Sequence, residues 1–229
     1  MTAISELFDP SLACPILLTV RTCCVSLLLF LLAGLPLALW GSRSNSLPCR
    51  CASFLVTLPL VFPPIALGYI LLLLLGRTGP VGSMLEAVGV RIVFTQAGVC
   101  IAAFAAGLPL VVRPLQAALG SDEVLRLEQA ARVTGCGPFR TFVFVTVPLV
   151  RGTLASGLLL GAARASGEVG VTMMLGGNIA GRTNTLSLEV FNCVSRGEFD
   201  SATRLCVLLA GVGLLLWLAL EKLQRKKEN

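Results

Sequence analysis

Arg164 and Glu168 are two charged residues within an apolar stretch that runs from Pro148 to Leu175. Residues four apart share a helix face, so the two side chains can form an ion pair and cancel most of the cost of burying them. In a second interpretation Arg164 supplies positive potential to a passage for an anion, and Gly167 lets the backbone bend there. The structural pair is favoured, because a permanent strong anion site would trap a substrate that must be released.

Residue types that the sequence lacks exclude several kinds of chemistry. The chain has no histidine, which removes imidazole bases, Ser-His and Cys-His nucleophile pairs and His-ligated zinc. No glycine-rich phosphate loop precedes its three lysines, and its nine cysteines contain no C-x-x-C pair. We therefore predict a chain that is not an enzyme, with no catalytic residue, metal or cofactor.

The composition places the chain in a membrane. Of its 229 residues 55% are hydrophobic and only 13% are charged, about half the share of about 25% in soluble domains. An arginine or aspartate at mid-bilayer costs about 2.5 to 3.5 kcal/mol, so stretches without charge locate the spans. Four such stretches are 22-42, 51-76, 92-112 and 205-220, and the apolar region from Pro148 to Leu175 supplies a fifth.

These stretches predict an all-α, polytopic membrane helix bundle forming one domain over 1-229. Five spans fit best within a range of five or six helices. The apolar segment from Pro10 to Val20 is too short to cross alone, so it either extends the first helix outward or lies at the interface.

Basic residues predict the orientation of the bundle. With five spans, eleven Lys and Arg lie on one side, five lie on the other, and Arg21 and Arg164 lie within spans. The side with eleven is cytoplasmic by the positive-inside rule, which puts the N-terminus outside and the C-terminus inside. Topology and anionic lipid account for the net charge of +6, so it indicates no nucleic-acid partner.

Three prolines interrupt the second span. Pro59, Pro63 and Pro64 remove backbone donors, so we expect this helix to be kinked or locally unwound. Irregular backbone at membrane depth is tolerated where it lines a cavity, which favours a pore-lining role for these residues. A simple kink packed against neighbouring helices remains the alternative.

The longest predicted cytoplasmic segment, at about 114-147, contains two short helices. Ser121 is a predicted N-cap, Gly135 ends the first helix, and Pro138 starts a second that runs from Phe139 to Val147 until Pro148 interrupts it. Small residues at Ala130, Ala131 and Gly135 would let another surface approach closely. The first helix therefore suits docking to a partner, although a helix lying on lipid is an equal alternative.

The residues of this segment carry a resemblance to a known family. Glu128-Gln129-Ala130-Ala131-x-x-x-Gly135, followed by Phe142 and Pro148, resembles the "EAA" loop of permease subunits of binding-protein-dependent ABC importers. Gln129 stands between the acid and the alanines, as in a subset of these permeases. In this family the loop forms a coupling helix in a groove of the ATPase subunit.

Two further blocks narrow the resemblance to the molybdate and sulfate branch. The segment from Leu58 to Gly79, with Pro59, Pro63 and Pro64, looks like the second span and following loop of molybdate permeases. Ala163-Arg164-Ala165-x-Gly167-Glu168-x-Gly170 looks like their fourth-span motif, shared with sulfate permeases. The resemblance covers almost the entire chain.

The resemblance to this branch implies a subunit of the bacterial inner membrane that imports molybdate, or also tungstate. Its implied partners are a second copy of itself, cytoplasmic ATP-binding subunits, an extracytoplasmic oxyanion-binding protein and membrane lipid. A sulfate or thiosulfate permease is the nearest alternative. An ion-coupled secondary transporter is weaker, because Glu168 is the only plausible membrane carboxylate and no internal repeat is visible.

Overall fold

The computed structural model describes residues 10 to 228, which contain helices and no strand. Two π-helical turns, Phe30–Gly34 and Phe142–Thr146, lie within long helices. The α-helices in chain order are α1 (Pro10–Leu29), α2 (Leu35–Arg43), α3 (Leu47–Val61), α4 (Pro64–Leu75), α5 (Pro80–Ala87), α6 (Gln96–Leu119), α7 (Asp122–Val133), α8 (Pro138–Thr141), α9 (Val147–Ser166), α10 (Gly170–Gly176), α11 (Leu186–Arg196) and α12 (Phe199–Glu228).

Three helical stretches of the described residues are long and apolar enough to cross a membrane. They are Ala13–Arg43, Gln96–Leu119 and Pro138–Ser166, and the pair α4 and α5, bent by 45°, makes a fourth if it counts as one span. The all-helical membrane fold is thus confirmed, while the number of five spans and the orientation stay predictions. The segment from Pro10 to Val20 continues into the first span, as one of the two alternatives stated.

Each π-helical turn ends two residues before a proline. The N–H of Leu35 bonds to the carbonyl of Phe30 before Pro36, and the N–H of Val147 bonds to that of Phe142 before Pro148. A proline has no N–H and its ring crowds the preceding turn, so a wider turn lets the helix continue. The prediction that Pro148 interrupts the helix was therefore wrong.

Two predicted boundaries also need correction, those of the fifth span and those of the cytoplasmic segment. The stretch from Pro148 to Leu175 is not one span, because the helix that begins at Pro138 ends at Ser166 and α10 starts separately at Gly170. The cytoplasmic segment predicted at about 114-147 is shorter in the structure, because α6 continues through Pro114 to Leu119 and a second long helix begins at Pro138. The residues between the two long helices are 120-137.

Helix α6 lies at the centre of the bundle and packs against α1, α2, α3, α9 and α10. Small residues allow α6 and α9 to approach closely, since a Cβ on Gly107 would lie only 2.6 Å from the carbonyl oxygen of Gly161 on α9. Ala102, Ala103 and Ala106 are buried in the same helix. These small residues therefore serve packing within the subunit.

Candidate functional site

Helix α7 forms as its residues predict. The Ser121 side chain accepts a hydrogen bond from the N–H of Val124, and Asp122 and Glu123 lie in the first turn, where the helix dipole favours acids. Gly135 has φ of +86°, a conformation that favours glycine, and it ends this helical segment. A new helix begins at Pro138, so α7 and the long helix that follows it are separate rigid elements.

The outer surface of α7 and α8 exposes apolar and small side chains. Val133 is 89% exposed and Phe139 is 77% exposed, while Gln129 and Ala130 are also exposed and Ala131 is partly so. We call Leu127, Ala130, Val133 and Phe139, together with Arg126 and Arg132, the coupling surface. Its exposed apolar residues and flanking arginines suit contact with another protein.

Glu128 points the opposite way and is 6% exposed. Its Oε1 lies 2.5 Å from Nη2 of Arg43, at the end of α2, and accepts a hydrogen bond of 2.6 Å from Oγ1 of Thr146. Thr146 is the last residue of the π-helical turn before α9. The carboxylate therefore ties α7 to the end of α2 and to the π-helical turn before α9.

Arg164 and Glu168 form the predicted ion pair although the helix ends between them. Nη1 of Arg164 lies 2.5 Å from Oε2 of Glu168, whose side chain is 1% exposed. Oε1 of Glu168 accepts a hydrogen bond from the N–H of Val171 in the first turn of α10, and Oγ of Ser187 donates to the carbonyl of Ser166. These bonds satisfy groups that the break in the helix leaves without partners.

The proline-rich second span is broken where the sequence predicts. Residues Phe62 and Pro63 separate α3 from α4, whereas Pro59 stays inside α3. Pro63 and Pro64 are exposed, as is Gly167 at the other break.

The two predicted membrane motifs meet across the break in the second span. A Cβ on Gly170 would lie 2.8 Å from Cβ of Pro64, and one on Gly68 would lie 2.9 Å from Cβ of Met174. We call this contact between the broken second span and the broken region after α9 the joint; the ion pair of Arg164 with the buried Glu168 lies at the end of α9 beside it. Gln129 and Pro148 belong to the other end of the molecule.

A polar cluster at the end opposite α7 has no counterpart in the sequence-based predictions. Glu189 of α11 accepts hydrogen bonds from Asn184, Asn192 and Arg196, and Asn178 donates to Asn192. Burial alone would raise the pKa of Glu189, but the bonds from Asn184, Arg196 and Asn192 bring it below its ordinary value. Alternating polar residues from Asn178 to Asn192 were a signal that could have suggested this cluster.

A cavity of about 760 Å³ opens at the same end, next to α4, α5 and the loop before α6. Arg77, Arg91 and Arg182 line it, and Glu86 is the only carboxylate among its described lining residues. Glu86 lies 3.0 Å from Nε of Arg77 and 3.6 Å from Nη2 of Arg91. The cavity wall therefore carries excess positive charge. Within residues 10 to 228 no cluster of three or more cysteine or acidic side chains could hold a metal ion.

Comparison with known proteins places this architecture among transport permeases. The molybdenum transport system permease protein ModB of Azotobacter vinelandii is 37% identical over 186 residues, which cover 81% of this chain and 82% of that protein. A chloroplastic sulfate permease of Chlamydomonas reinhardtii is 38% identical over 165 residues, covering 72% and 44% of the two chains. No family model matches the chain.

The fold also matches a solved transporter. A bacterial ABC transporter involved in the import of the acidic polysaccharide alginate superposes with a TM-score of 0.74 at 19% identity, over 99% of this chain and 83% of that one. This likeness concerns the fold, whereas the identity to the Azotobacter protein extends over most of both sequences. On these grounds the chain belongs to the family of molybdenum transport system permease proteins.

Proposed function

We propose that this chain is the membrane subunit of an ATP-driven importer of molybdate, working as a homodimer. Two cytoplasmic ATPase subunits would supply the energy, and an extracytoplasmic binding protein would deliver the anion. The relationship to the Azotobacter molybdenum permease supports the substrate, and the fold shared with an ABC importer supports the partners. The proposed mechanism rests on one observation: α7 exposes the coupling surface on one face, and Glu128 on the opposite face binds α7 to the bundle.

The two faces of α7 give it the form of a lever. A partner that moves the exposed Val133 would move Glu128 on the inner face, because both residues lie on α7, which is a single short helix. Glu128 would pass that motion to α2 through Arg43 and to the start of α9 through Thr146. Direct coupling through a buried, charge-assisted contact requires no large rearrangement of α7 itself.

The joint at the other end of α9 would respond to this motion. Helix α9 ends in Arg164 and Ser166, and the Glu168 contact connects it to α10, which packs on α4 after the proline break. We propose that Pro59, Pro63, Pro64 and Gly167 line the passage or its gate, since broken helices near membrane depth can reorient at low cost. Arg164 and Glu168 then act as the structural pair that holds the joint.

The excess positive charge of the cavity beside Arg77 and Arg182 fits an oxyanion that arrives from outside. Such charge raises the local concentration of an anion without binding it permanently. Sulfate is a second candidate substrate, because a sulfate permease is also 38% identical to the chain and both anions are tetrahedral and divalent.

Transport in proteoliposomes tests the proposal. The subunit, co-expressed with the ATPase and binding protein of its own host, should co-purify with the ATPase and take up radioactive molybdate only when ATP and binding protein are present. Tungstate should compete more strongly than sulfate. Uptake of sulfate that excess molybdate leaves unchanged would favour the sulfate alternative, and uptake without any ATPase would contradict the importer mechanism.

A further inference from the structure

A second cavity, lined mainly by polar residues, lies at the α7 end of the bundle, between the end of α2, residues 49-57 of α3 and the last third of α6. Its volume is about 420 Å³. Neither the motifs nor the relatives assign anything to it. Its polar lining residues include Ser44, Asn45, Arg50, Thr57, Arg113 and Gln116.

Arg113 is held in place by neutral groups. Its Nε donates to Oγ1 of Thr57 at 2.9 Å, Nη2 donates to the carbonyl of Ser53 at 3.1 Å, and Nη1 donates to Oε1 of Gln116 at 3.3 Å. None of these acceptors carries a charge, so the positive charge of the guanidinium is not cancelled. A guanidinium has five N–H donors, and a fixed one loses less entropy when it binds a ligand.

Arg50 brings a second positive charge to the cavity. It lies in the first turn of α3 and is exposed, and no aspartate or glutamate occurs among the described residues that line the cavity. Two arginines that share a cavity repel one another unless an anion lies between them. Paired guanidinium groups with nearby hydroxyl and amide groups bind the oxygens of phosphate-like anions.

The surroundings of the cavity are apolar. Leu47 is 73% exposed and Phe54 is 65% exposed on α3, and Trp40 of α2 is 42% exposed. Basic pockets between membrane helices that border apolar surface bind the head groups of anionic lipids on the cytoplasmic side. Aromatic residues at this depth are typical of the membrane interface.

We infer that the cavity between Arg50 and Arg113 binds a tetrahedral oxyanion group at the predicted cytoplasmic end of the subunit. The group is either the phosphate of an anionic phospholipid or a free oxyanion that has crossed the membrane. Both present negatively charged oxygens on a tetrahedral centre to the two arginines, with one charge for a phosphodiester and two for molybdate. Only the second source rests on the proposed function, because it presumes that the subunit transports such an anion.

The test uses the complete transporter with its ATPase subunits in lipid nanodiscs. One preparation contains phosphatidylcholine alone and the other contains added phosphatidylglycerol. Native mass spectrometry counts the phosphatidylglycerol molecules retained after detergent release, and radioactive molybdate measures binding of the free anion in the phosphatidylcholine discs. The double variant Arg50→Gln/Arg113→Gln removes both charges from the cavity. Arg151→Gln is the control, because Arg151 is an exposed arginine of α9 that does not line the cavity.

The wild-type complex and Arg151→Gln should retain phosphatidylglycerol, bind molybdate in its absence, or both, and the double variant should bind roughly tenfold more weakly. Retained lipid identifies the lipid source, and binding of molybdate alone identifies the free anion. Equal binding by the double variant, or no binding of either anion by a wild-type complex that still transports molybdate, would overturn the inference. A wild-type complex that does not transport molybdate would instead contradict the proposed function.

Discussion

Glu128 and Glu168 are buried carboxylates that each contact an arginine and a second group at the end of a helix. Glu128 is held by Arg43 and Thr146, and Glu168 is held by Arg164 and the N–H of Val171. A buried ion pair contributes little net stability, but removing one partner leaves an uncompensated charge and costs about 3 to 5 kcal/mol. Both carboxylates therefore act mainly as connections between helices.

The Arg164–Glu168 pair can be tested for a structural role. Arg164→Gln alone should impair folding or transport more than Glu168→Gln alone, because it leaves the buried Glu168 carboxylate unpaired, whereas Arg164 is partly exposed to solvent. The double variant should recover much of the loss, since no unpaired charge remains and a glutamine at 168 can still accept from Val171. Transport and protein level are measured in all three variants. Failure of the double variant at normal protein level would favour direct contact between Arg164 and the anion.

Glu189 predicts a response to acid at the end opposite α7. The pKa of Glu189 is lower in the folded protein than its unfolded value of about 4.3, so its contribution to stability is present above that pH and is lost as pH falls through the folded pKa. The protection factor of α11 against hydrogen exchange should therefore fall on acidification below about pH 4. Glu189→Gln should reduce this dependence on pH. Protection that is equally pH-dependent in the variant would assign it to another group.

At the scale of the element, Gly135 separates α7 from the helix that follows. A Cβ at Gly135 or at Gly137 would meet no atom within 4 Å, but only Gly135 has positive φ. Gly135→Ala should therefore strain the connection by about 1 to 3 kcal/mol, whereas Gly137→Ala should be nearly neutral. We expect Gly135→Ala alone to lower substrate-stimulated ATP hydrolysis in the assembled transporter. Equal activity of the two variants would mean that the orientation of α7 does not control coupling.

The contact between α6 and α9 offers a second matched pair of glycines. A Cβ on Gly107 would lie 2.5 Å from Cζ of Phe30 and 2.6 Å from the carbonyl oxygen of Gly161, whereas one on Gly211 of α12 would meet nothing. Gly107→Ala should cost about 1 to 3 kcal/mol, and Gly211→Ala should be neutral or slightly stabilising. Thermal unfolding in detergent measures both. A stable Gly107→Ala protein would show that the two helices can move apart freely.

These elements differ in how far the sequence predicts them. Local chemistry predicted α7, its cap at Ser121, its end at Gly135 and the break near Pro63, because each depends on neighbouring residues. The contact between Arg43 and Glu128 joins residues far apart in the chain, so helix periodicity could not reveal it. Similarly, proline rules predicted an interruption at Pro148, but a wider turn over Phe142–Thr146 accommodated the ring.

At the scale of the whole molecule, the coupling surface, the Glu128 contact and the cavity with Arg50 and Arg113 lie at one end. The joint of Arg164 and Glu168, the polar cluster around Glu189 and the cavity with Arg77 and Arg182 lie towards the other end. Helix α9 runs from Thr146 to the joint, and α6 packs along it. A displacement of α7 would therefore reach the joint through one continuous helix. It would connect the two sides of the membrane if the two ends of the molecule face opposite sides.

Cysteine labelling tests that orientation, because eleven basic residues on one side against five on the other predict that the α7 end is cytoplasmic. Cys136 is exposed at that end and Thr78 is exposed at the other. With the other exposed or partly exposed cysteines (Cys14, Cys23, Cys24, Cys51 and Cys206) replaced by serine, an impermeant maleimide should label Thr78→Cys in intact cells and should label Cys136 only after permeabilisation. Cys193 lies at the outer end but should stay unlabelled, because it is buried and burial and the nearby Glu189 raise its thiol pKa. Labelling of Cys136 in intact cells would reverse the orientation and place the coupling surface away from any cytoplasmic ATPase.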